Sequence, residues 1–587
     1  MSSEHNARLS ALRAVMAARG LDGFLVPRAD EHLGEYVPEC AERLAYLTGF
    51  TGSAGMAIVL AERAAVFSDG RYTLQLAQQT DGALWERLHI MESKPEAWLV
   101  QHAAGRRIGY DPWLVSAEGL ARFVGVEMVA VARNLVDEIW ADRPAPPLAP
   151  AVPHDVAFAG ERSAEKRARL GAALREAGQD AAVLSDPASL AWLFNIRGSD
   201  VEFCPVALGY ALLFADGRAA LFMAGVKLPE ETRAHLGEAV TLAEPEALAG
   251  ALAALGGKVV RYDPANQPVW FRNQLERAGA EVSLGADVVA LPRALKNAVE
   301  QEGARAAHLR DGVAVVRFLA WLAGARGETE SSAAAVLLAQ RARGERFKGE
   351  SFPAISGAGE HGAIIHYHVT EESNRAIKPD EVYLIDSGGQ YLDGTTDITR
   401  TVWTGPGDAP PTVKEHVTRV LAGHIALAQA VFPQGVAGAH LDAFARAALW
   451  QAGLDYDHGT GHGVGAYLSV HEGPAGISRA AKLVALQVGM LLSNEPGFYL
   501  EGAYGIRMEN LVLVQAAEFG AQARKFLRFE TVTLVPFDRA LIEPGLLSPA
   551  ALEWLNAYHA RVRDALTPLL GDAPEVVEWL NRATARI

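Results

Sequence analysis

The stretch Val382-Tyr-Leu-Ile-Asp-Ser-Gly-Gly-Gln-Tyr-Leu-Asp-Gly-Thr-Thr-Asp-Ile-Thr-Arg-Thr-Val402 decides the fold. It predicts two strands joined across Asp393-Gly394, a dipeptide typical of tight turns. Asp386 ends the first apolar run, and Asp397 lies in the returning strand. Antiparallel pairing is expected to bring both carboxylates to one end of the sheet. One aspartate there is most often a turn or cap residue, but two buried carboxylates need a partner, and a cation is the strongest.

Further segments downstream carry the same kinds of side chain. His458-Gly-Thr-Gly-His-Gly-Val-Gly465 has two histidines four residues apart, but its glycines disfavour the helix of a zinc protease motif. A phosphate-binding loop is an alternative for this segment, although no lysine follows the glycines. Val470-His-Glu-Gly-Pro474 offers another imidazole at a turn. Glu495 stands between an apolar strand and Pro-Gly, and Glu509 directly precedes a strongly apolar strand.

These segments together indicate a metal site rich in oxygen ligands. They supply four carboxylates and one imidazole: Asp386, Asp397, His462, Glu495 and Glu509. Such a set suits a pair of divalent ions, with Mn²⁺ ahead of Co²⁺ or Zn²⁺. Four carboxylates balance two divalent cations and leave room for a bridging hydroxide. A solvated surface glutamate is the simpler interpretation of either glutamate alone, and spacing leaves the geometry and the number of ions open.

Composition excludes several other classes of protein. The 587 residues predict several domains, and a hydrophobic share of 50% suits a folded protein rather than a disordered one. The net charge is −16 and no run of basic residues occurs, which argues against nucleic acid or anionic lipid as partners. Two cysteines form no disulfide framework and favour a reducing compartment. No apolar run has the length of a signal peptide or membrane span, so we expect no membrane association and a cytoplasmic protein.

The domain organisation is predicted from a proline-rich connector and an apparent duplication. Five prolines in Arg143–Pro153 favour an extended linker. A helix, a buried strand and then Leu-Ala-Tyr-Leu from Leu44 precede this linker, and the same order with Leu-Ala-Trp-Leu from Leu190 follows it. The predicted parts are two α/β domains at 1–142 and 155–294, a catalytic domain at 295–540 and a helical extension at 541–587.

Taken jointly, these motifs resemble those of the Xaa-Pro aminopeptidases (aminopeptidase P) of metallopeptidase family M24B, in their long, three-domain cytosolic form. The resemblance covers nearly the whole chain. It implies an α/β (α+β) architecture, with two creatinase-like N-terminal domains before a "pita-bread" catalytic domain and a C-terminal helical extension. The segments that carry it are Phe50–Gly55, Asp69–Tyr72, Trp192–Asp200, Ser351–Pro353, Gly362–Tyr367, Ile385–Gly388, Asp393–Thr401, His458–Gly465, Val470–Pro474, Asn494–Gly497, Gly505–Asn510 and Glu553–His559.

The resemblance also implies roles for individual residues. The five residues of the oxygen-rich set become ligands of two metal ions, usually Mn²⁺, with Asp397 and Glu509 bridging. Glu495 is then the proton acceptor and His471 a donor to the developing oxyanion. The remaining implied roles are a catalytic histidine at His458, proline binding and catalysis at His366, substrate binding at Arg71, His462 and His471, and orientation of Glu509 or Asp386 by Arg507.

The implied activity is hydrolysis of the N-terminal Xaa-Pro bond of peptides with proline in second position (EC 3.4.11.9), through a metal-bridging hydroxide. Proline lacks the amide hydrogen that ordinary peptidases bind, so a dedicated pocket is required. A homodimer is implied by the long-form family. Alternatives are a prolidase acting on Xaa-Pro dipeptides, a metal-free creatinase-like hydrolase and a noncatalytic binding module on the same fold. His368 adds an imidazole beside the proline-binding region, where a surface histidine is the simpler interpretation.

Overall fold

A computed structural model describes residues 2–519 and 524–587. The chain forms two compact units. The first unit comprises Met1–Val156 and Glu161–Ala290, and the second comprises Ala157–Gly160 and Leu291–Ile587.

The first unit contains two six-stranded mixed sheets with the same plan. From edge to edge, the first sheet consists of Glu86–His89, Ala64–Ser68, Met56–Leu60, Gly23–Pro27, Arg107–Tyr110 and Glu127–Ala130. The second consists of Val240–Ala243, Ala219–Phe222, Tyr210–Phe214, Ala181–Leu184, Val259–Tyr262 and Glu281–Leu284. Corresponding neighbours are parallel or antiparallel in the same places. The duplication predicted from the sequence is therefore confirmed.

Helices cover these two sheets, and each half opens with the predicted helix. Gly20 and Gly178 follow these opening helices with φ values of 64° and 71°, the left-handed conformation in which glycine commonly ends a helix. Side chains of both sheets, such as Leu25 and Val183, share one buried apolar cluster. The helices of this unit are Ser2–Ala18, Arg43–Thr48, Thr73–Gln79, Pro95–Ala103, Ala117–Leu120, Leu135–Ile139, Ser163–Glu176, Pro187–Phe194, Glu230–Leu236, Leu248–Ala253 and Val269–Ala278. A two-stranded pair, Val152–Pro153 with Ile196–Arg197, completes it.

The second unit is built around two larger sheets. A three-stranded antiparallel sheet has the order Ile355–Ala358, Val382–Ser387 and Ile398–Trp403. An antiparallel six-stranded sheet has the order Val431–Pro433, Phe526–Thr531, Asn510–Ala517, Leu491–Asn494, Gly461–Gly463 and Glu472–Ile477. Smaller sheets pair Gly497–Leu500 with Tyr504–Arg507, and Phe347–Glu350 with Gly389–Tyr391 and Gly394–Thr395.

Two long helices of the second unit begin at residues whose side chains cap them. Asn297 accepts hydrogen bonds from the backbone N–H groups of Val299 and Glu300, and Ser548 accepts one from that of Ala551. Proline follows Ser548 in the first turn, where its missing N–H costs nothing. The helices are Ala298–Gly324, Glu330–Ala342, Pro411–Ala428, Asp442–Trp450, Pro549–Leu566 and Pro574–Ala583, while Val156–Ala159 and Ala290–Ala294 lie where the chain passes between units.

The stretch 382–402 differs in detail from the predicted hairpin. It forms four short strands, Val382–Ser387, Gly389–Tyr391, Gly394–Thr395 and Ile398–Trp403. Gly388 separates the first two strands, and a Cβ there would overlap the carbonyl oxygen of Thr396. The outer two strands pair in the predicted antiparallel sense, with Asp386 opposite Thr399. Among the described residues, no helix combines the length and apolar character needed to cross a bilayer. Cys40 and Cys204 are both buried, and neither forms a disulfide.

Candidate metal centre

The two aspartates approach each other because of the strand register. Asp386 pairs with Thr399, and Ser387 pairs with Ile398, so Asp397 immediately precedes the first paired residue of the returning strand. Both aspartates are buried, at 7% and 4% exposure. The expectation that they meet at one end of the sheet is confirmed.

The other three residues of the set come from the six-stranded sheet and the turns beside it. His462 lies in the strand Gly461–Gly463, Glu495 follows the strand Leu491–Asn494, and Glu509 precedes the strand Asn510–Ala517. The backbone N–H of Glu509 donates to the carbonyl oxygen of Thr399 at 3.1 Å, and the Thr399 hydroxyl donates to Glu509 Oε2 at 2.9 Å. These two bonds connect the sheets that carry the two groups of ligands.

Ligand atoms of Asp397, His462 and Glu509 all lie within 4.8 Å of one another, a separation that one metal ion can span. His462 Nε2 also lies 3.5 Å from Asp397 Oδ2 and 3.5 Å from Glu495 Oε1. The structure therefore brings the predicted imidazole and its predicted carboxylate neighbours together.

The tautomer of His462 suits a metal ligand. Its Nδ1 lies 3.0 Å from the carbonyl oxygen of Gly463, which accepts only if Nδ1 carries the proton. The lone pair is then on Nε2, the atom that faces the carboxylates. A backbone N–H···O bond from His462 to Ser493 Oγ, at 3.0 Å, holds the residue in place. This is the usual way in which a second hydrogen bond orients a metal-binding histidine.

Without cations, three carboxylates of this site, those of Asp397, Glu495 and Glu509, resist ionisation. Burial, and after it the charges of Asp397 and Asp386, raises the pKa of Glu495 to about 8 against the opposing effect of Arg507. Burial, followed by nearby carboxylates, also raises the pKa values of Asp397 and Glu509 well above their ordinary range. Like charges in a low-dielectric environment disfavour one another, and bound cations remove that penalty.

The surroundings of two carboxylate oxygens in the site show whether the residues present suit metal ions. Asp386 Oδ1 and Glu509 Oε1 are buried, and neither accepts a hydrogen bond from any described residue. An unpaired buried carboxylate oxygen is costly, so these atoms require a partner that the protein itself does not supply. A divalent cation satisfies both the charge and the coordination, and the residues present therefore fit the implied metal ions.

A hydrogen-bonded chain leads from Asp386 to His458. Arg507 Nη2 donates to Asp386 Oδ2 at 2.7 Å, and Arg507 Nη1 donates to the Tyr499 hydroxyl at 2.6 Å. That hydroxyl lies 2.9 Å from His458 Nε2, while His458 Nδ1 lies 2.8 Å from the carbonyl oxygen of Gly459. Arg507 was predicted to orient either Glu509 or Asp386, and its described hydrogen bonds to a carboxylate are those to Asp386. These bonds hold Oδ2 of Asp386 and leave Oδ1 available to a cation.

The remaining predicted residues occupy different surroundings. The His471 ring is perpendicular to that of His462, with centroids 4.3 Å apart, which puts it at the metal centre. His366 is half-buried after the turn Gly359–Ala363, and His368 is exposed, as expected for a surface histidine. Arg71 belongs to the first unit, where Asp69 binds its guanidinium at 2.8 and 2.9 Å. The roles of His366 and Arg71 in substrate binding stay predictions.

Two functional contacts were not predicted from the sequence. Tyr499 joins Arg507 to His458, and Thr399 donates to Glu509. Thr399 lies within the quoted segment Asp393–Thr401, two residues after Asp397, whereas Tyr499 lies four residues after Glu495 and just beyond the segment Asn494–Gly497. Alternation in a strand places Thr399 on the same face as Asp397, which is the signal that the sequence offers.

Comparisons with known proteins define the class of the molecule first. Residues 302–516 match the model of metallopeptidase family M24, and residues 525–587 match the C-terminal region of peptidase M24. Residues 8–137 and 142–300 each match a creatinase/prolidase N-terminal domain. The candidate site therefore lies within a metallopeptidase catalytic region that follows two related N-terminal domains.

Proteins that are similar to this chain over its full length define a narrower group within this class. Aminopeptidase P1 of Lotus japonicus is 38% identical, over 98% of this chain and 99% of its own length. A probable Xaa-Pro aminopeptidase P of Aspergillus fumigatus is 40% identical, over 99% of this chain and 92% of its own. The crystal structure of X-prolyl aminopeptidase from Caenorhabditis elegans, described as a cytosolic enzyme with a di-nuclear active site, matches with a TM-score of 0.94, 34% identity, and coverage of 99% and 100%. The chain belongs to metallopeptidase family M24, in the group formed by these aminopeptidases P.

Proposed function

We propose that this protein is a metal-dependent aminopeptidase that hydrolyses the N-terminal Xaa-Pro bond of peptides. The observation that carries the proposal is the convergence of buried carboxylates on His462, with two carboxylate oxygens that no described residue satisfies. Full-length similarity to proteins named Xaa-Pro aminopeptidase supports the specificity. The duplicated N-terminal domains and the C-terminal region extend this similarity beyond the catalytic region.

We infer that Asp386, Asp397, His462, Glu495 and Glu509 would hold two divalent cations. Mn²⁺ is the preferred ion because oxygen ligands outnumber the single imidazole, and Co²⁺ and Zn²⁺ are the alternatives. When bound, the cations lower the pKa of water to supply a nucleophile near neutral pH and polarise the scissile carbonyl.

The protein's own residues then handle protons and charge. Glu495 accepts the proton of the attacking water, since its side chain is 18% exposed while that of Asp397 is 5% exposed. His471 donates to the oxygen that becomes negative as the carbonyl is attacked. The chain from Arg507 through Tyr499 keeps Nε2 of His458 in a hydrogen bond, which fixes the ring beside the Glu495 carboxylate at 4.0 Å. His366 holds the substrate around its proline, and Arg71 is a further substrate-binding residue.

Further features belong to the same proposal. We assign the division into 1–142, 155–294, 295–540 and 541–587 to two N-terminal domains, a catalytic domain and a helical extension. A homodimer and a cytoplasmic location follow from the family resemblance, and the related Caenorhabditis elegans enzyme is described as cytosolic. Light scattering of the purified chain measures the oligomeric state directly, with twice the monomer mass of 62.7 kDa expected.

The experiment that tests the activity compares three peptides. Purified protein loaded with Mn²⁺ is incubated with Arg-Pro-Pro, with Arg-Ala-Pro and with the dipeptide Gly-Pro, and the released amino acid is measured. Release of arginine from Arg-Pro-Pro alone, with the dipeptide cut much more slowly, is the expected result. Preference for Gly-Pro favours the prolidase alternative. Cleavage of none of the three by metal-loaded protein favours a binding module.

A further inference from the structure

A buried polar network lies behind the strands that carry the metal ligands. Successive side chains of a strand point to opposite faces, so Arg400 points away from the face of Asp397 and Thr399. Asn510 is related in the same way to Glu509. Arg400 and Asn510 are buried, at 1% and 0% exposure. Together with Tyr558, these two residues form what we call the rear network.

Arg400 is the centre of the rear network, and its described hydrogen bonds all go to uncharged acceptors. Nη1 donates to the carbonyl oxygens of Thr399 at 2.9 Å and Glu509 at 2.6 Å. The other bonds run to Pro536 O at 3.0 Å, Asn510 Oδ1 at 2.8 Å, Val535 O at 2.6 Å and the Tyr558 hydroxyl at 3.2 Å. One rigid guanidinium thus fixes the backbone at Thr399 and at Glu509, in the two segments that carry Asp397 and Glu509.

Arg400 is a buried cation with no carboxylate among its described hydrogen-bond partners. Such a cation is expensive, because its desolvation is offset only by dipoles and by more distant charge.

Tyr558 brings the C-terminal helix Pro549–Leu566 into this network. Its hydroxyl oxygen lies 2.8 Å from Val535 O, 3.3 Å from Asn510 Oδ1 and 3.2 Å from Arg400 Nη2. The ring of Trp554, one turn earlier in the helix, stacks on Tyr558 with an interplanar angle of 6°. The hydroxyl is therefore held in position by a packed ring rather than by solvent.

Asn510 extends the network to the second glutamate. It donates from Nδ2 toward His424 Nε2 at 3.3 Å, and the carbonyl oxygen of His424 accepts from Asn494 Nδ2 at 2.9 Å. Asn494 and Asn510 are paired across neighbouring strands. Each asparagine is adjacent in sequence to a proposed ligand, Glu495 or Glu509, so His424 links the rear network to the residue that precedes Glu495.

We propose that Tyr558 and Arg400 are positioning residues of the metal centre, which makes the C-terminal helix a working part of the site rather than an appendage. Tyr558 holds Arg400, and Arg400 holds Thr399, Glu509 and Asn510 at the separation that lets Asp397 and Glu509 share cations. This inference rests on the proposed function, since it concerns the geometry of the same metal ligands.

Metal binding tests the inference independently of catalysis. Metal-stripped full-length protein is titrated with Mn²⁺ by calorimetry, and the visible spectrum of the Co²⁺-loaded protein reports ligand geometry. Tyr558→Phe is expected to weaken Mn²⁺ binding at one or both sites by roughly 10-fold and to alter the Co²⁺ spectrum. Arg400→Lys keeps the charge but loses the fork of donors, and we expect a loss of at least that size.

Tyr391→Phe is the matched control, because the Tyr391 hydroxyl is also buried and donates to Asp311 at 2.9 Å, outside the rear network. It is expected to lower thermal stability while Mn²⁺ affinity stays within about 2-fold. Circular dichroism verifies that each metal-free variant is folded. If Tyr558→Phe does not fold, Arg400→Lys alone tests the inference. The inference is overturned if the folded rear-network variants keep the wild-type Mn²⁺ affinity and Co²⁺ spectrum, or if Tyr391→Phe loses Mn²⁺ affinity to the same extent. Either result leaves the proposed function intact. A wild-type chain that binds no Mn²⁺ contradicts the proposed function itself.

Discussion

At the scale of single residues, the proposed ligands differ in how much solvent they meet. The side chains of His462 and Glu495 are 22% and 18% exposed, whereas those of Asp386 and Asp397 are 10% and 5% exposed. Substrate and water therefore approach from the side of His462 and Glu495. This asymmetry supports the proposal that Glu495 accepts a proton while Asp386 and Asp397 hold cations in the same site.

Glu495→Gln is expected to lower kcat by about 10²–10⁴-fold, the usual contribution of a positioned general base. The amide keeps one oxygen for a cation but cannot accept the proton of water. Steady-state kinetics with Arg-Pro-Pro at saturating Mn²⁺ measures the effect, with bound metal determined in the same samples. Glu501→Gln, at an exposed position in the nearby turn, is the control and should retain wild-type kcat. Near-normal turnover in Glu495→Gln would assign proton transfer to another group.

At the scale of elements, the site depends on how closely two strands approach. The strand Gly461–Gly463 carries His462 and lies beside Leu491–Asn494, which leads into Glu495. A Cβ at Gly461 would overlap the carbonyl oxygen of Ser493. The glycine-rich character of the segment is thus explained by strand packing as well as by access to a ligand.

Gly461→Ala is expected to force these strands apart and to move His462 away from the carboxylates. Displacements of about 1 Å cost roughly 100-fold in rate, so kcat/KM should fall by at least that factor. Gly571→Ala is the matched control, because a Cβ there meets nothing within 4 Å. Kinetics and thermal unfolding of both variants check the prediction. Equal behaviour of the two variants would mean that the strand contact is not restrictive.

The elements also show why part of the site was predictable and part was not. Asp386 and Asp397 were predicted to meet because a strand–turn–strand pattern is local, and the helix starts at Asn297 and Ser548 follow from local capping signals. Arg400 reaches Glu509 and Tyr558 across 109 and 158 positions, which no local pattern encodes. The close packing at Gly388 likewise involves a distant residue, since a Cβ there would overlap Ser351 Oγ as well as the carbonyl oxygen of Thr396.

At the scale of the whole molecule, buried uncharged histidines make stability depend on pH. Burial lowers the pKa of His424 and of His559 to about 3. In the unfolded chain a histidine binds a proton below about pH 6.5. Between about pH 6.5 and 3 the unfolded state therefore holds more protons, and the stability that these groups contribute is lost as the pH falls through that window. Each histidine accounts for a slope of about 1.4 kcal/mol per pH unit.

His559→Gln tests this dependence, because glutamine can still accept from the backbone N–H of Phe537, as His559 Nε2 does at 3.1 Å. The urea midpoint of the variant should fall less steeply than that of the wild type between pH 6.5 and 4. His440→Gln, which removes an exposed imidazole, serves as the control. An unchanged slope in His559→Gln would show that this histidine becomes protonated without unfolding.

The duplication is visible at this scale because it repeats a whole sheet. The matching motifs Leu-Ala-Tyr-Leu and Leu-Ala-Trp-Leu suggested the duplication. The equal strand orders and directions of the two sheets confirm it. The roles of Arg71 and His366 stay predictions, since they rest on resemblance to a family and concern a bound substrate.

The central claim is that catalysis requires two cations held by this chain's carboxylates and His462. The most direct measurement titrates metal-stripped protein with Mn²⁺ while following both bound metal and the release of arginine from Arg-Pro-Pro. We predict no release without metal and a rise that reaches its plateau at two ions per chain. Full activity in the metal-free protein, or a plateau at a single ion, would contradict the account.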